Sequence, residues 1–303
     1  MTFTNLRGEV REREPLAGHT SFRIGGPADA LVLPADRRDL IALLLQVRQQ
    51  GLPFVILGGG TNMLVRDGGY RGVVISLKRM AAVTTVREYR SVGGTFAVVL
   101  AEAGAALAGL LRYTVERGWS GLEFAAGIPG TVGGAVCMNA GTAQGEIGDV
   151  IDTVTLLSPR GELIVHHQDE LGFGYRTTNI PPGHVVLDAK LILRHGEREQ
   201  IQARVKELIA QRRERQPWGL ASAGSVFKNP FDESAGKLIE TAGLKGASVG
   251  RAQVSEKHAN FIVNLGGAAA ADVLKLMEIV QERVLEMHKV RLEPEIKIIG
   301  EDA

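Results

Sequence analysis

Two glycine-rich runs constrain this chain more than any other feature. The first, Gly58-Gly59-Gly60-Thr61-Asn62, follows directly on the short apolar run 54–57. The second, Gly127-Ile128-Pro129-Gly130-Thr131-Val132-Gly133-Gly134, opens a glycine-rich stretch that extends to Gly141. Glycine has no Cβ, so successive N–H groups in such runs are open to close approach, and the backbone can enter left-handed conformations. Taken alone, the first run reads either as a tight turn or as a nest for phosphate oxygens. It is not the fingerprint G-x-G-x-x-G, which would need glycine in place of Met63, and no Walker A Gly-Lys-Ser/Thr occurs in the chain. The second run favours the nest, because two such loops in consecutive α/β units can grip one extended dinucleotide from both sides. Glycine is abundant throughout, at 38 of 303 residues, with no collagen-like period to account for it.

Periodicity supplies the units. Residues 30–33 read as a short strand; Asp36 then caps a helix with Leu40, Leu43, Leu44 and Val47 on one face, and Gly51 stops it. Residues 54–57 and 73–77 read as strands, the latter after a Gly68-Gly69 turn. A second unit has strands at 82–86 and 96–101 and a helix through Leu107, Leu110, Leu111 and Val115 that ends at Gly118. Strands dominate 150–193, with hairpin-like connections at Pro159-Arg160-Gly161 and Pro181-Pro182-Gly183. The charged stretch 196–216 has helical spacing at Ile201, Val205, Leu208 and Ile209 and reads as a helix joining two domains. Beyond it come a Gly/Ala/Ser loop at 219–225, a helix at 234–242, a strand at 261–263, a long helix through Val273, Leu276, Val280, Val284 and Met287, and a closing strand at 292–299.

Charge and cysteine usage exclude several classes of function. Lys plus Arg number 35 against 34 Asp plus Glu, a net charge of +1, so the basic excess expected of a nucleic-acid or anionic-membrane binder is missing. The apolar runs at 40–45 and 54–57 fall far short of the ~20 residues that span a bilayer. The N-terminal segment has no apolar leader region, and Cys137 is the only cysteine, so a soluble cytoplasmic protein without internal disulfides is expected. Cys137 lies in Ala135-Val136-Cys137-Met138 and reads as a buried, inert thiol. The seven histidines form no H-E-x-x-H and no Cys/His quartet, so no metal is expected; His166-His167 reads as a surface pair on a strand.

Three polar positions in the second half could carry chemistry. Tyr175-Arg176 follows Gly172-Phe173-Gly174, and an arginine in such a loop can clamp a carboxylate or phosphate through its planar fork, or simply lie on the surface. Ser225, in Gly224-Ser225-Val226-Phe227-Lys228-Asn229-Pro230, has no nucleophile elbow around it; it is a linker serine or a hydroxyl that gives up a proton. In Leu292-Glu293-Pro294-Glu295-Ile296-Lys297-Ile298 the strand period puts Glu293, Glu295 and Lys297 on one face, either solvated or closing over a site built earlier in the chain.

Together, six motifs in order resemble the UDP-N-acetylenolpyruvoylglucosamine reductases, flavoenzymes of bacterial cell-wall precursor synthesis. They are His19-Thr20-Ser21-Phe22-Arg23-Ile24-Gly25-Gly26, Leu57-Gly58-Gly59-Gly60-Thr61-Asn62, the run from Gly127 to Gly134, Gly174-Tyr175-Arg176, the run from Gly224 to Pro230, and Leu292-Glu293-Pro294-Glu295-Ile296. The resemblance implies an α+β chain. A p-cresol-methylhydroxylase-type FAD-binding fold would comprise two subdomains, at 1–80 and 81–200, followed by a substrate-binding domain at 201–303. It implies FAD contacts at Gly58, Gly59, Gly60, Thr61, Asn62, Met63, Leu64, Gly127, Ile128, Pro129, Gly130, Val132, Gly133, Gly134 and Asn139. Arg176, Ser225 and Glu295 would be catalytic, with Ser225 the proton donor; Tyr175, Lys228, Asn229 and His258 would contact substrate. NADPH would be the co-substrate and a UDP-sugar the substrate of a monomeric enzyme. Only 48 residues separate Arg176 from Ser225, so the chain looks like the family's shorter class, without the tyrosine-bearing loop of the longer one. Two other functions would share part of this pattern. A different FAD oxidoreductase would keep both glycine loops but not need Arg176, Ser225 and Glu295 together, and a non-catalytic nucleotide-sugar binder would need no flavin.

The implied chemistry explains the residue types. Hydride addition to the terminal carbon of an enol ether drives electrons into the carboxylate as an enediolate, whose extra charge a permanently cationic arginine can hold. Glu295 can hydrogen-bond that oxyanion only when protonated or through a donor neighbour. The enediolate carbon is basic enough to take a proton from a serine.

Overall fold

The computed structural model describes residues 3–230 and 233–303. It divides into two compact units that interleave along the chain. The first comprises the chain up to Arg11, Leu31–Gly59 and Val73–Arg212; the second comprises Glu12–Ala30, Gly60–Gly72 and the chain from Arg213 onward. The three consecutive stretches expected from the sequence, 1–80, 81–200 and 201–303, thus compare with two units, and residues 12–30 and 60–72 group with the C-terminal part. Among the described residues no helix is long and apolar enough to cross a membrane.

In the first unit, helix α1 (Arg37–Gln49) starts where Asp36, in extended backbone, accepts the Asp39 N–H at 3.0 Å. Its buried face is the predicted one, Leu40, Leu43, Leu44 and Val47, and Gly51 ends it at φ 62°. Strand Phe54–Leu57 runs parallel to Val73, Val74, Ile75 and Ser76. A larger sheet is ordered Leu163–His167, Ile151–Leu157, Val185–His195, Gly94–Glu102, Val83–Ser91, all antiparallel, and Trp119–Ser120 pairs with the end of Val185–His195. The expected hairpin at 159–161 is present, with Leu157 opposite Leu163 and Gly161 at φ 83°. The turn at 181–183 does not join two strands; an irregular segment precedes Val185–His195. Helix α2 (Leu107–Glu116) buries Leu107, Leu110 and Leu111 as expected, and Thr114, whose hydroxyl donates to Leu111 O at 2.8 Å, completes the face.

Helix α3 (Val132–Cys137) corrects the reading of the thiol. A six-residue helix buries Val132, Gly133, Ala135 and Val136 and turns Gly134 and Cys137 outward, so Cys137 is exposed. Helix α4 (Arg198–Arg215) occupies the charged stretch, with Ile201 and Leu208 buried, and the unit boundary falls within it.

The second unit is built on a sheet ordered Ala221–Ser225, Phe261–Asn264, Ala252–Val254, Ser248–Val249. With it go helices α5 (Ala235–Thr241) and α6 (Ala270–His288), and Phe22, Leu64, Phe227, Leu238, Ile262, Leu276 and Val280 share one buried core. Two sequence expectations fail here. The Gly/Ala/Ser run expected as a loop is in part a strand, because ladder hydrogen bonds to Phe261–Asn264 need no large side chains. Gly224, at φ 76°, sits at the register shift between Ser222 and Ser225 as a bulge. The closing strand is only Lys297–Ile299, parallel to Met63–Val65. Before it, residues 293–295 pair instead with 226–228, Pro294 forming an isolated antiparallel bridge with Phe227.

Candidate functional site

In the first unit the two glycine loops touch. Gly58 follows strand Phe54–Leu57, and a Cβ there would stand 2.6 Å from Thr131 Oγ1. Thr131 is the N-cap of α3 and accepts the Gly134 N–H at 3.4 Å. Gly127 and Gly130 take φ values of 75° and 116°, and Ile128 N–H closes a turn onto Ala125 O at 2.9 Å. At Gly133 a Cβ would meet that of Ala103 at 2.8 Å, while the Gly133 N–H donates to Ala103 O at 2.9 Å. These glycines are therefore required by packing as well as by conformation.

The loop bearing Tyr175 and Arg176 belongs to the same neighbourhood. Gly174 and Thr177 exchange backbone hydrogen bonds at 3.0 and 3.1 Å, and Arg176 lies between them at φ 56°. Asn139, fully buried, anchors this turn: its Nδ2 donates to Gly174 O and its Oδ1 accepts the Gly148 N–H, both at 3.0 Å. Its side-chain amide is thus engaged within the protein, and what Asn139 does for a ligand it does by ordering the loop. Thr178 Oγ1 donates to Val136 O at 2.6 Å and ties the loop to α3. The Arg176 guanidinium donates to Gly141 O at 3.2 Å and lies 5.4 Å from the ring centre of half-exposed Tyr175.

A second cation stands beside it. Arg212 donates to Ala126 O, next to Gly127, at 3.2 Å; burial first and the Arg176 charge second hold its guanidinium below the usual arginine value. Arg212 is absent from the residues inferred from sequence, where it is one arginine in a run of charge.

The unit boundary falls between Gly59 and Gly60. In the second unit Gly60 has φ 61°, and a Cβ would clash with His19 O at 2.2 Å. Ser21 receives it: the Ser21 N–H donates to Gly60 O at 3.0 Å, and the Ser21 hydroxyl donates to Ser222 O at 2.6 Å. The His19-Thr20-Ser21 motif thereby links the glycine run to the strand that ends in Ser225, a role not legible in the sequence. Thr61 and Asn62 are half-buried; Met63 and Leu64 are buried in strand Met63–Val65, the latter in the core. Asn62 binds the closing segment, its Nδ2 donating to Glu295 O at 3.3 Å and its carbonyl accepting the Lys297 N–H at 3.0 Å.

That segment lies along the one after Ser225. Glu295 N–H donates to Val226 O at 2.7 Å, Lys228 N–H donates to Glu293 O at 2.9 Å, and Lys228 Nζ pairs with Glu293 Oε2 at 3.6 Å. Glu295 thereby meets Val226, the residue after Ser225, through its backbone, and Ser225 and Glu295 are both half-buried. Asn229 Oδ1 accepts the Ala235 N–H at 3.0 Å, at the start of α5. Buried Asn260 clamps Phe227 from both sides, accepting its N–H at 3.0 Å and donating to its carbonyl at 2.8 Å. The Asn260 N–H donates to His258 Nδ1 at 3.2 Å, which places the ring proton of the neutral imidazole on Nε2. Burial, ahead of every other influence, pushes the His258 pKa below its ordinary 6.5.

Residues 28–166 match the FAD binding domain family, and residues 216–299 match the C-terminal domain of UDP-N-acetylenolpyruvoylglucosamine reductase. A protein of the latter name from Geotalea uraniireducens is 43% identical over 297 residues, 98% of this chain and 96% of the relative. One from Caldanaerobacter subterraneus is 45% identical over 97% of this chain and 95% of its own length. The crystal structure of the Thermus caldophilus UDP-N-acetylenolpyruvylglucosamine reductase superposes with a TM-score of 0.81 at 38% identity, covering 97% of this chain and 100% of that one. The chain belongs to this reductase family. It is an oxidoreductase with a FAD-binding region and the family's C-terminal domain, and the α+β architecture read from its sequence is borne out.

Two expectations follow from the site. Gly58→Val sets a branched side chain against Thr131 and should strip flavin from a protein that circular dichroism shows to be folded; a folded variant with a full complement of flavin would reduce the Gly58 loop to an ordinary turn. In NMR titration the His258 ring should change charge with a midpoint below 6.5. Because the unfolded ring binds its proton more readily, the stability contributed by neutral His258 is lost as pH falls below 6.5. A midpoint at or above that value would contradict the buried, neutral ring.

Proposed function

We propose that this reductase converts the enolpyruvyl ether of UDP-N-acetylglucosamine to UDP-N-acetylmuramate, with NADPH as reductant. FAD is assigned to the stretches 1–80 and 81–200, substrate to 201–303. The observation that supports the reading is the Glu295 N–H to Val226 O hydrogen bond, which joins the backbone of the closing segment to the residue after Ser225, in a protein whose Arg212 also feels the Arg176 charge.

FAD, when bound, supplies the hydride that adds to the terminal carbon of the enol ether. Gly58, Gly59, Gly127, Ile128, Pro129, Gly130, Val132, Gly133 and Gly134 hold it by bare or closely packed backbone, with Gly60, Thr61, Asn62, Met63 and Leu64 continuing the first loop. Arg176 and Arg212 hold the substrate carboxylate and the charge it gains, and their repulsion is relieved as that charge grows, which is stabilisation of the transition state above the ground state. Ser225 gives its proton to the former enol carbon and is replenished from solvent. Glu295 orders the serine segment and takes its share of the oxyanion when protonated. Tyr175, Lys228, Asn229 and His258 contact the remainder of the substrate, His258 as an Nε2–H donor.

Ser225→Ala separates the steps. Flavin reduction by NADPH should stay near the wild-type rate, whereas reoxidation by the enolpyruvyl UDP-sugar should slow by about 10²–10⁴-fold, the usual worth of a positioned general acid. That is about 3–5.5 kcal/mol of barrier. Anaerobic stopped-flow traces of each half-reaction read this out. Equal slowing of both would mean a disturbed flavin site, and unimpaired reoxidation would remove Ser225 from the proton transfer.

A further inference from the structure

Ser21 is half-buried and joins three backbone segments that all belong to the second unit. Its N–H donates to Gly60 O at 3.0 Å, and its hydroxyl lies 2.6 Å from Ser222 O and 3.2 Å from Gly60 O. A hydroxyl has one proton to give, and the shorter contact takes it. The Ser21 backbone therefore serves the glycine run, while its side chain serves the strand that leads to Ser225.

The segment around Ser21 is itself fixed. Thr20, buried, closes a turn with its hydroxyl on Ile24 O at 3.0 Å and its carbonyl accepting the Arg23 N–H at 3.2 Å. Phe22 is fully buried in the core, and its carbonyl accepts Asn264 Nδ2 at 3.0 Å. Asn264 ends strand Phe261–Asn264, the neighbour of Ala221–Ser225, and its Oδ1 accepts the N–H groups of Gly266 and Ala268 at 2.8 and 3.1 Å. Ser21 is thus carried on one of these two strands and bonded by its hydroxyl to the other.

What the hydroxyl holds is the step before Ser225. Strand Ala221–Ser225 is the outermost of its sheet, so its ladder lies on one side only. That ladder pairs Ser222 with Val263 and Ser225 with Phe261, and leaves Ala223 and Gly224 outside it. A bulge of this kind re-aims a side chain but disrupts the pairing around it. The Ser21 hydroxyl bonds the chain immediately ahead of the bulge, and the Val226 N–H, donating to Asn260 O at 2.8 Å, holds it immediately after Ser225. We infer that Ser21 is a positioning residue for the proton transfer: its hydroxyl fixes the Ser222 end of the bulge that aims Ser225, while its N–H holds the glycine run at Gly60. That role rests on the one proposed for Ser225 and extends it to a residue that acts through the backbone it bonds.

Ser21→Ala removes the hydroxyl and keeps the N–H. Flavin content and reduction of the bound flavin by NADPH should match wild type, as should the dissociation constant of the enolpyruvyl UDP-sugar read from the oxidised flavin spectrum. The limiting rate of reoxidation should fall by about threefold to tenfold, the worth of one neutral hydrogen bond. Placed in Ser225→Ala, the same substitution should cause no further slowing, because the group it positions is gone; a general structural loss would slow both backgrounds alike. Wild-type reoxidation in Ser21→Ala, loss of flavin from it, or the same factor in both backgrounds overturns the role of Ser21. Ser225→Ala by itself decides the other question. If it reoxidises at the wild-type rate, the proton assignment to Ser225 and the role of Ser21 fall together, whereas a slow Ser225→Ala beside an unimpaired Ser21→Ala removes Ser21 alone.

Discussion

The side chain of Asn260 is the interaction on which the second unit's chemistry rests. It is 3% exposed, and its amide bonds both polar groups of the Phe227 backbone while its own N–H and carbonyl bind His258 Nδ1 and the Val226 N–H. A buried amide with every group satisfied holds its surroundings in one arrangement, and any partner removed would leave the others stranded. What it holds is the two-residue step after Ser225, and that step receives Glu295. One residue thus sets the spacing of a proposed proton donor, a carboxyl group and an imidazole that are far apart in sequence.

The first unit solves a comparable problem with absent side chains. Gly58 admits Thr131 and Gly133 admits Ala103, so the two loops pack against their neighbours where a side chain would hold them apart. Asn139 extends the same neighbourhood to Arg176 by bonding Gly174 and Gly148. Arg212, drawn in by its bond to Ala126, then supplies a second positive charge beside the first. Burial of the Arg212 guanidinium has a cost that a bound anion would offset, which is the role proposed for it.

Much of this is legible in the sequence, for physical reasons that differ by element. Helix α1 is plain because its cap, apolar period and stopping glycine agree, and strand Phe54–Leu57 because a short apolar run ends abruptly in glycine. The strand Ala221–Ser225 is not, since alanine, serine and glycine carry no alternation and its stability comes from a partner strand forty residues away, on the order of the separation that local pattern cannot see. The closing segment misleads because one apolar alternation spans two different partners, 226–228 for residues 293–295 and Met63–Val65 for Lys297–Ile299. Cys137 misleads because the apolar run around it is a short helix whose last residue faces outward. Among site residues, Arg176 and Ser225 stand in distinctive motifs, whereas Arg212 is one of several arginines and Ser21, Asn139 and Asn260 act through hydrogen bonds that only the folded chain defines.

The central claim is that the protein reduces an enolpyruvyl ether attached to a UDP-sugar. The most direct measurement is NADPH consumption by the purified flavoprotein under anaerobic conditions, with the product followed by mass spectrometry. The account predicts that oxidation of NADPH beyond one equivalent of flavin requires UDP-N-acetylglucosamine enolpyruvate and yields UDP-N-acetylmuramate in equal amount, while UDP-N-acetylglucosamine without the enolpyruvyl group supports none. Sustained NADPH oxidation with the unmodified UDP-sugar, or an enolpyruvyl substrate recovered intact, would contradict it.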